Sequence, residues 1–266
     1  MESAPHAPLA WPLDAQFGRA SAGKIGMWIF LLSDALSFAG LLVTYGMLRG
    51  GSSVWRNPGE PPLGIPFAAL LTLLLVCSSV TMVFAHDAAL NGQRKRAAVL
   101  LGLTGLGGAL FLLGQYAEYF GVLHPGLTKQ GLVFGRSAYA STFYVITGFH
   151  GMHVFSGVVC LLVTLARWLK GRATAAQIEL LGLFWHFVDL IWIFVFAVVY
   201  LTPVGETAVV LALIGLAVAQ AACVALYFMN LKRETRWLKL TVAIPLMTAV
   251  IYALVLISEA AWRRLS

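Results

Sequence analysis

Charge is scarce in this sequence. Asp, Glu, Lys and Arg make up 11% of its 266 residues, whereas hydrophobic residues make up 60%. Ordinary soluble domains carry about 25% charged residues, because a surface in contact with water needs them. The shortage of charge therefore excludes a soluble globular protein and indicates a chain that folds in lipid.

Cysteine is also scarce, and several catalytic motifs are missing. The three cysteines, Cys77, Cys160 and Cys223, lie in different apolar segments, which excludes a disulfide framework and a C-x-x-C-H haem attachment. We interpret them as buried thiols in apolar surroundings. The sequence has no Walker loop, dinucleotide fingerprint, G-x-S-x-G or H-E-x-x-H. No catalytic, cofactor-binding or metal site is therefore predicted in this chain.

Long apolar runs are abundant, and they predict an all-α, polytopic membrane protein with seven transmembrane helices. A crossing needs about 20 mostly apolar residues. The runs that meet this requirement lie at 24–48, 64–85, 97–117, 138–167, 177–202, 207–230 and 238–262.

The basic residues predict the orientation of these spans. The net charge of +7 comes from Lys and Arg scattered between apolar runs, which does not favour a nucleic-acid partner. With the N-terminus inside, inner segments carry twice as many Lys and Arg residues as outer segments. Because cytoplasmic loops retain basic residues, we expect a cytoplasmic N-terminus and, after seven crossings, a periplasmic C-terminus.

Five ionisable side chains fall at membrane depth, where they are costly and invite a functional question. Asp34 lies in the first span. His150 and His153 share one face of the fourth span, and His186 and Asp189 share one face of the fifth, because each pair is spaced i, i+3. Their similar depths predict a buried polar cluster.

Three interpretations of this cluster stay open. The first is a hydrogen-bond network that holds the helices in register. The second is a metal or haem site, and the third is a proton or ion relay. Glu118, at the outer end of the third span, is interpreted as an interfacial carboxylate. Gly148, Gly151 and Gly157 predict close approach of another helix to the fourth span.

Two long segments carry a family resemblance. They read STFYVITGFHGMHVF at 141–155 and FWHFVDLIWI at 184–193. Both are similar to the signature helices of subunit III of haem-copper cytochrome c oxidases. KIGMWIFLLSD at 24–34 and QYAE at 115–118 also resemble that family, in its short, five-helix bacterial form.

The C-terminal part resembles a different subunit. LYFMNLKRETRW at 226–237, with TVAIPL at 241–246, is similar to the small prokaryotic subunit IV of the same oxidases. The two resemblances divide the chain into an N-terminal cytoplasmic segment (1–23), a subunit III-like five-helix domain (24–203) and a subunit IV-like two-helix hairpin (204–266).

The resemblance implies a non-catalytic accessory subunit of a proton-pumping terminal oxidase that reduces oxygen to water. Haem and copper would then lie in partner subunits I and II, and cytochrome c or another donor would act through the complex. The resemblance also implies bound phospholipid, support of proton uptake, and a place in the bacterial inner membrane. Where the family carries a carbodiimide-reactive Glu, this chain has Asp34, and a lipid- or proton-related role is implied for Asp34 and Glu118.

Two alternatives remain beside this function. One is the equivalent subunit of a quinol oxidase or a nitric oxide reductase. The other is a stand-alone proton-coupled transporter built around the Asp and His cluster. Such a transporter is expected to show inverted repeats and interrupted helices, and the hydropathy pattern shows neither.

Overall fold

Helices account for all regular secondary structure in the residues described by the structure, a computed structural model covering residues 22–122 and 125–201. They are α1 (Ala22–Gly51), α2 (Ile65–Leu90), α3 (Arg94–Phe120), α4 (Ala138–Leu169) and α5 (Ala175–Val195), which continues as a π-helical segment (Phe196–Leu201). All five helices are long and apolar enough to cross a membrane. The all-helical fold is therefore confirmed for these residues.

Each of the first five predicted spans overlaps one helix, and several helices extend beyond the apolar run. The apolar run of α2 stops before His86 and Asp87, whereas the helix continues to Leu90. Likewise, α3 begins at Arg94, ahead of its apolar run. Backbone hydrogen bonds extend a helix beyond the apolar residues that fix its position in lipid. The spans predicted at 207–230 and 238–262, and the predicted N-terminal segment before residue 22, lie outside the described residues.

Local sequence signals set several helix ends. Ser137 caps α4 by accepting a hydrogen bond from the amide of Ala140, at 3.0 Å. Thr174 and Gln177 form a capping box at the start of α5. Because the turns that follow α2 and α4 are short, each of these helices lies beside its successor in the chain.

Helix α5 is the most buried element of the described bundle. It packs against α1, α2 and α4, while α3 packs against α2 and α4. Nearly all α5 side chains from Leu181 to Val195 are buried, and those of the π-helical segment are buried too. A helix that is apolar on all sides is expected at such a position. This arrangement places His186 and Asp189 inside the protein.

The cysteine interpretation is wrong for two of the three thiols. Cys77 and Cys160 are exposed on the outer surface of the bundle. The outward faces of the spanning helices also expose large apolar side chains, including Met152 and Phe155. In a membrane protein such faces contact lipid, so an apolar sequence context does not distinguish a lipid-facing thiol from a buried one. Cys223 lies outside the described residues.

Candidate functional site

Asp34 of α1 and His153 of α4 form a direct contact. Oδ1 of Asp34 lies 3.0 Å from Nε2 of His153, and both side chains are largely buried. Phe38, one turn after Asp34, packs its ring 5.2 Å from the His153 ring, centroid to centroid. The pair therefore lies between two helices in a mostly apolar environment.

The backbone determines how this pair can hold a proton. Nδ1 of His153 lies 2.7 Å from the carbonyl oxygen of Phe149. A carbonyl oxygen only accepts hydrogen bonds, so Nδ1 must carry the hydrogen. The contact between Nε2 and Asp34 is then compatible with two arrangements. Either His153 is a neutral imidazole and Asp34 a carboxylic acid, or His153 is an imidazolium and Asp34 a carboxylate. The two side chains can thus share one proton between α1 and α4.

His150 has different surroundings from His153. Its ring lies 4.9 Å from the Trp192 ring and 5.7 Å from the Phe111 ring, between centroids. The residue is completely buried, and among the described residues neither ring nitrogen has a hydrogen-bond partner. His150 is therefore enclosed by aromatic side chains from α3 and α5.

His186 belongs to a row of hydrogen bonds between α2 and α5. Its Nδ1 lies 2.6 Å from Oγ of Ser79. The neighbouring Trp185 donates its indole N–H to Oγ of Ser78 at 3.0 Å. Farther along, an indole N–H from Trp192 reaches Oγ1 of Thr72 at 2.9 Å. These contacts fix the rotation of α5 against α2.

Glycines let Trp185 insert between α3 and α4. A methyl group placed on Gly108 would lie 2.7 Å from Val158 and closer still to the Trp185 ring, and one on Gly157 would lie 2.9 Å from that ring. Real side chains do not approach so closely, so a larger residue at either position would force the neighbouring side chains to shift. Trp185 thereby contacts α2, α3 and α4.

Of the three glycines predicted to allow close approach, two do so. Besides Gly157, Gly151 of α4 faces the Gln115 side chain of α3, whose Oε1 would lie 2.6 Å from an added methyl group. Gln115 in turn donates to the carbonyl oxygen of Thr147 at 2.6 Å. Among the described residues, no atom lies within 4 Å of a methyl group placed on Gly148, so none of the described helices approaches α4 closely there.

Two further acidic side chains are buried inside the described bundle. Glu118, near the end of α3, is only 8% exposed, and its Oε2 accepts a hydrogen bond from the Tyr200 hydroxyl at 2.9 Å. Asp189 of α5 is 1% exposed. The π-helical segment supplies Tyr200, which is a partner that the sequence pattern did not indicate.

The structure thus joins two members of the predicted polar cluster directly, Asp34 and His153. His150 and His186 have the separate surroundings described above. In the described ranges, no three His, Cys, Asp or Glu side chains are grouped so that they could hold a metal ion. The sequence analysis missed the hydroxyl partners Thr72, Ser78 and Ser79. Their signal was small polar residues inside an apolar span.

Comparison with known proteins identifies the family. The family model described as Cytochrome c oxidase subunit III matches residues 18–204, and the one described as Prokaryotic Cytochrome C oxidase subunit IV matches residues 184–254. The chain belongs to the cytochrome c oxidase subunit III family. Both resemblances inferred from the sequence are confirmed, and the two matched ranges overlap at α5 and just after it.

Relatives extend over most of the subunit III-like part. A protein from Corynebacterium diphtheriae named cytochrome c oxidase subunit 3 is 36% identical over 70% of this chain and 91% of its own length. One from Synechocystis with the same name is 34% identical over 69% of this chain and 77% of its own length. A cytochrome bo(3) ubiquinol oxidase subunit 3 from Pseudomonas aeruginosa is 34% identical over 66% of this chain and 83% of its own length.

The family and the fold together define the class of protein. The five apolar helices and the subunit III relatives make the chain an integral membrane protein and an accessory subunit of an oxidase complex. Its assembly with other subunits follows from the same homology.

Proposed function

We propose that this chain is a fused III–IV accessory subunit of a proton-pumping cytochrome c oxidase that reduces oxygen to water. The observation that carries the proposal is the match of one chain to two subunit families of the same enzyme, over residues 18–204 and 184–254. Two subunits that act in one complex can be fused without separating either from its neighbours. In this proposal the haems and copper lie in partner subunits I and II.

The proposal also gives the chain seven spans in a bacterial inner membrane. The five described helices account for the subunit III-like part, and the apolar runs at 207–230 and 238–262 add two crossings. The excess of Lys and Arg in the inner segments favours a cytoplasmic N-terminus and a periplasmic C-terminus. A periplasm-active reporter fused after Ser266 should be active, and one fused after Arg96 should not. The reverse result would contradict this orientation.

The role of the chain in the complex is support of the catalytic subunit. We assign to it the binding of phospholipid and the support of proton uptake, with the Asp34–His153 pair as the group that handles a proton. The pair supports this assignment because its geometry allows one proton to be shared between two helices. Glu118 is assigned a lesser part, since its buried carboxyl already accepts a hydrogen bond from Tyr200.

Purification through a tag on this chain tests the oxidase assignment. In a gentle detergent the chain should bring down subunits I and II, and the preparation should show the visible spectrum of haem. A chain that purifies alone, without haem, would contradict the assignment and favour the stand-alone transporter.

A second candidate is the equivalent subunit of a quinol oxidase. It is favoured by the Pseudomonas relative, whose name is that of a ubiquinol oxidase subunit and whose identity to this chain nearly equals that of the cytochrome c oxidase relatives. The purified complex distinguishes the two, because one enzyme oxidises reduced cytochrome c and the other oxidises a quinol. We expect oxygen consumption with cytochrome c, and activity with quinol alone would select the second candidate.

A further inference from the structure

One face of α1 is exposed across the membrane span and holds a row of small side chains. Of the five described helices, α1 is the least buried, and it packs against α4 and α5. Its exposed positions include Ser33, Ser37, Gly40 and Thr44. Their spacing of four, three and four residues aligns them in one row along the helix. We call this row the α1 groove.

Large apolar side chains border the α1 groove on both sides, as the 3.6-residue period of the helix requires. On one side Leu36 and Met47 are 58% and 73% exposed, and on the other Phe30 and Leu48 are 47% and 43% exposed. Among the described residues, no atom lies within 4 Å of a methyl group placed on Gly40. The backbone of α1 is therefore open to close approach by another helix.

The hydroxyl groups of the α1 groove are satisfied within α1 itself. Ser33 donates to the carbonyl oxygen of Phe30 at 2.7 Å, and Ser37 donates to that of Ser33 at 3.2 Å. Thr44 likewise donates to the carbonyl oxygen of Gly40 at 2.8 Å. Because these hydroxyls have acceptors in their own helix, the molecule that fills the groove needs no polar groups.

The exposed face of α3 has a different composition. Its exposed positions along the span hold large apolar side chains, namely Val99, Leu103, Leu106, Leu110 and Leu113. Such side chains suit contact with acyl chains, which are as apolar as leucine, whereas small residues are enriched where two membrane helices meet. The α1 groove therefore has the composition of a helix interface, and none of the helices in the described ranges occupies it.

The chain continues from α5 within reach of α1. The described part of α5 ends at Leu201, and the next apolar run begins at Thr207. Six residues span at most about 20 Å. Neighbouring helix axes lie about 8–10 Å apart, and α1 packs directly against α5, so a helix on the exposed face of α1 lies at most about 20 Å from α5. The short connection therefore allows the 207–230 run to lie against α1.

The 207–230 run carries a row of small residues with the spacing of the α1 groove. Its members, Ala208, Ala212, Gly215 and Ala219, are separated by four, three and four residues. The described α5 and α1 both end on the side predicted to be outer, so the 207–230 run crosses the membrane in the direction opposite to α1. Read in that direction, the spacing is again four, three and four, and every small residue meets a small residue.

We propose that the α1 groove receives the 207–230 span of the same chain, packed antiparallel to α1. The small residues then face each other in four pairs: Ser33 with Ala219, Ser37 with Gly215, Gly40 with Ala212, and Thr44 with Ala208. In this register the midpoints of the apolar runs 24–48 and 207–230 agree in depth to within about 4 Å. The inference rests on the two C-terminal spans of the proposed function and gives the first of them an interface.

Disulfide cross-linking of the full chain in its membrane tests this contact. The natural cysteines are replaced by alanine, and a protease site is inserted after Pro203. The test variant adds Ser37→Cys and Gly215→Cys, and a second test variant adds Gly40→Cys and Ala212→Cys. After oxidation with copper phenanthroline and cleavage, a disulfide keeps the two parts together on a non-reducing gel. It requires Cα atoms about 4.4–6.8 Å apart, which only a close helix contact provides.

Two control variants each move one cysteine of the first test variant. Ser37→Cys with Ala217→Cys places the second cysteine on nearly the opposite face of its helix. Ser156→Cys with Gly215→Cys places the first cysteine at an exposed serine of α4, whose hydroxyl also bonds to its own helix. Cross-linked chain should be about tenfold more abundant in each test variant than in either control. Equal cross-linking in tests and controls, or none in both test variants, would overturn the proposal.

Other occupants of the α1 groove give distinct results. A cross-linked product of twice the chain mass with Ser37→Cys alone would place a second copy in the groove. Loss of a haem-bearing subunit with Ser37→Leu and Gly40→Leu, together with no cross-link in the test variants, would place a partner subunit there. Either result makes the proposal wrong. Neither affects the oxidase assignment, because that assignment is tested by the haem-bearing subunits that purify with the unaltered chain.

Discussion

At Asp34, the two carboxyl oxygens have different surroundings. Oδ1 contacts His153, whereas Oδ2 is buried and has no hydrogen-bond partner among the described residues. A buried polar atom without a partner costs about 1–3 kcal/mol, so the contact with His153 is what makes this carboxyl tolerable in a membrane span. The Asp34 side chain is long enough to reach the imidazole of His153.

Two substitutions of Asp34 distinguish its role in sharing a proton with His153 from its role in helix packing. Asp34→Asn should leave assembly intact and shorten the turnover lifetime of the oxidase only modestly, because the amide can donate a hydrogen bond to Nε2 of His153. Asp34→Leu should lower the free energy of unfolding by about 1–3 kcal/mol, since it leaves that nitrogen buried and unpaired. Turnover assays and thermal unfolding in detergent measure the two effects. Loss of the assembled complex with Asn would instead indicate a structural ion pair.

Glu118 and Tyr200 provide a second residue-scale prediction. Tyr200→Phe removes the donor to Oε2 and should lower the free energy of unfolding by about 1–3 kcal/mol. Tyr116→Phe is the matched control on α3, where the side chain is 56% exposed, and should have little effect. Combining Tyr200→Phe with Glu118→Leu should restore part of the lost stability, because both polar partners are then replaced by apolar groups. A double variant less stable than Tyr200→Phe would contradict this account.

Among the helices, α5 depends most on close packing. Its Trp185 ring lies against the glycine surfaces of α3 and α4 and donates a hydrogen bond to α2. In a membrane, association of helices relies on such close contacts and on hydrogen bonds between helices, because lipid supplies little hydrophobic driving force. Serine and threonine hydroxyls of α2 form hydrogen bonds with three side chains of α5, namely Trp185, His186 and Trp192.

Alanine at Gly157 tests this packing. Gly157→Ala should destabilise the bundle by about 1–3 kcal/mol, because its methyl group collides with the Trp185 ring. Among the described residues, nothing lies within 4 Å of the methyl group that Gly148→Ala adds on the same helix, so this variant should be neutral or stabilising by up to about 1 kcal/mol, since alanine favours helix. Thermal unfolding of the two variants in one detergent gives the comparison. Equal stabilities would show that Trp185 moves aside at little cost.

Element positions could be predicted from the sequence because the length of an apolar run is set by the bilayer. The side chains that contact each other between different helices could not be predicted from the sequence. A helix such as α2 is apolar on every side, so its pattern gives no information on which face meets which neighbour. Ser79 and His186 are separated by 107 positions, and their contact depends on the rotation of both helices. The polar cluster was predicted from the depth of its members and from the i, i+3 spacing within each helix, and neither determines which members touch across helices.

At the scale of the whole chain, the two family matches meet at α5. The subunit III match ends at residue 204, whereas the subunit IV match begins at residue 184, inside the helix. The contacts of α5 with α1, α2 and α4 join it to the subunit III-like part. We therefore propose a functional boundary after α5, between the domains 24–203 and 204–266.

Splitting the chain tests that boundary. Residues 1–203 and 204–266, expressed as two chains, should both purify with the oxidase, because Lys232, Arg233, Arg236 and Lys239 should keep the loop of the C-terminal hairpin inside. Their yield should fall, since the covalent link no longer holds the two parts at a high effective concentration. A split after Gly171, in the turn between α4 and α5, is the control and should impair assembly more, because it detaches α5 from the helices that enclose it. If the split after Gly171 assembles better, α5 belongs with the subunit IV-like part and the boundary lies before it.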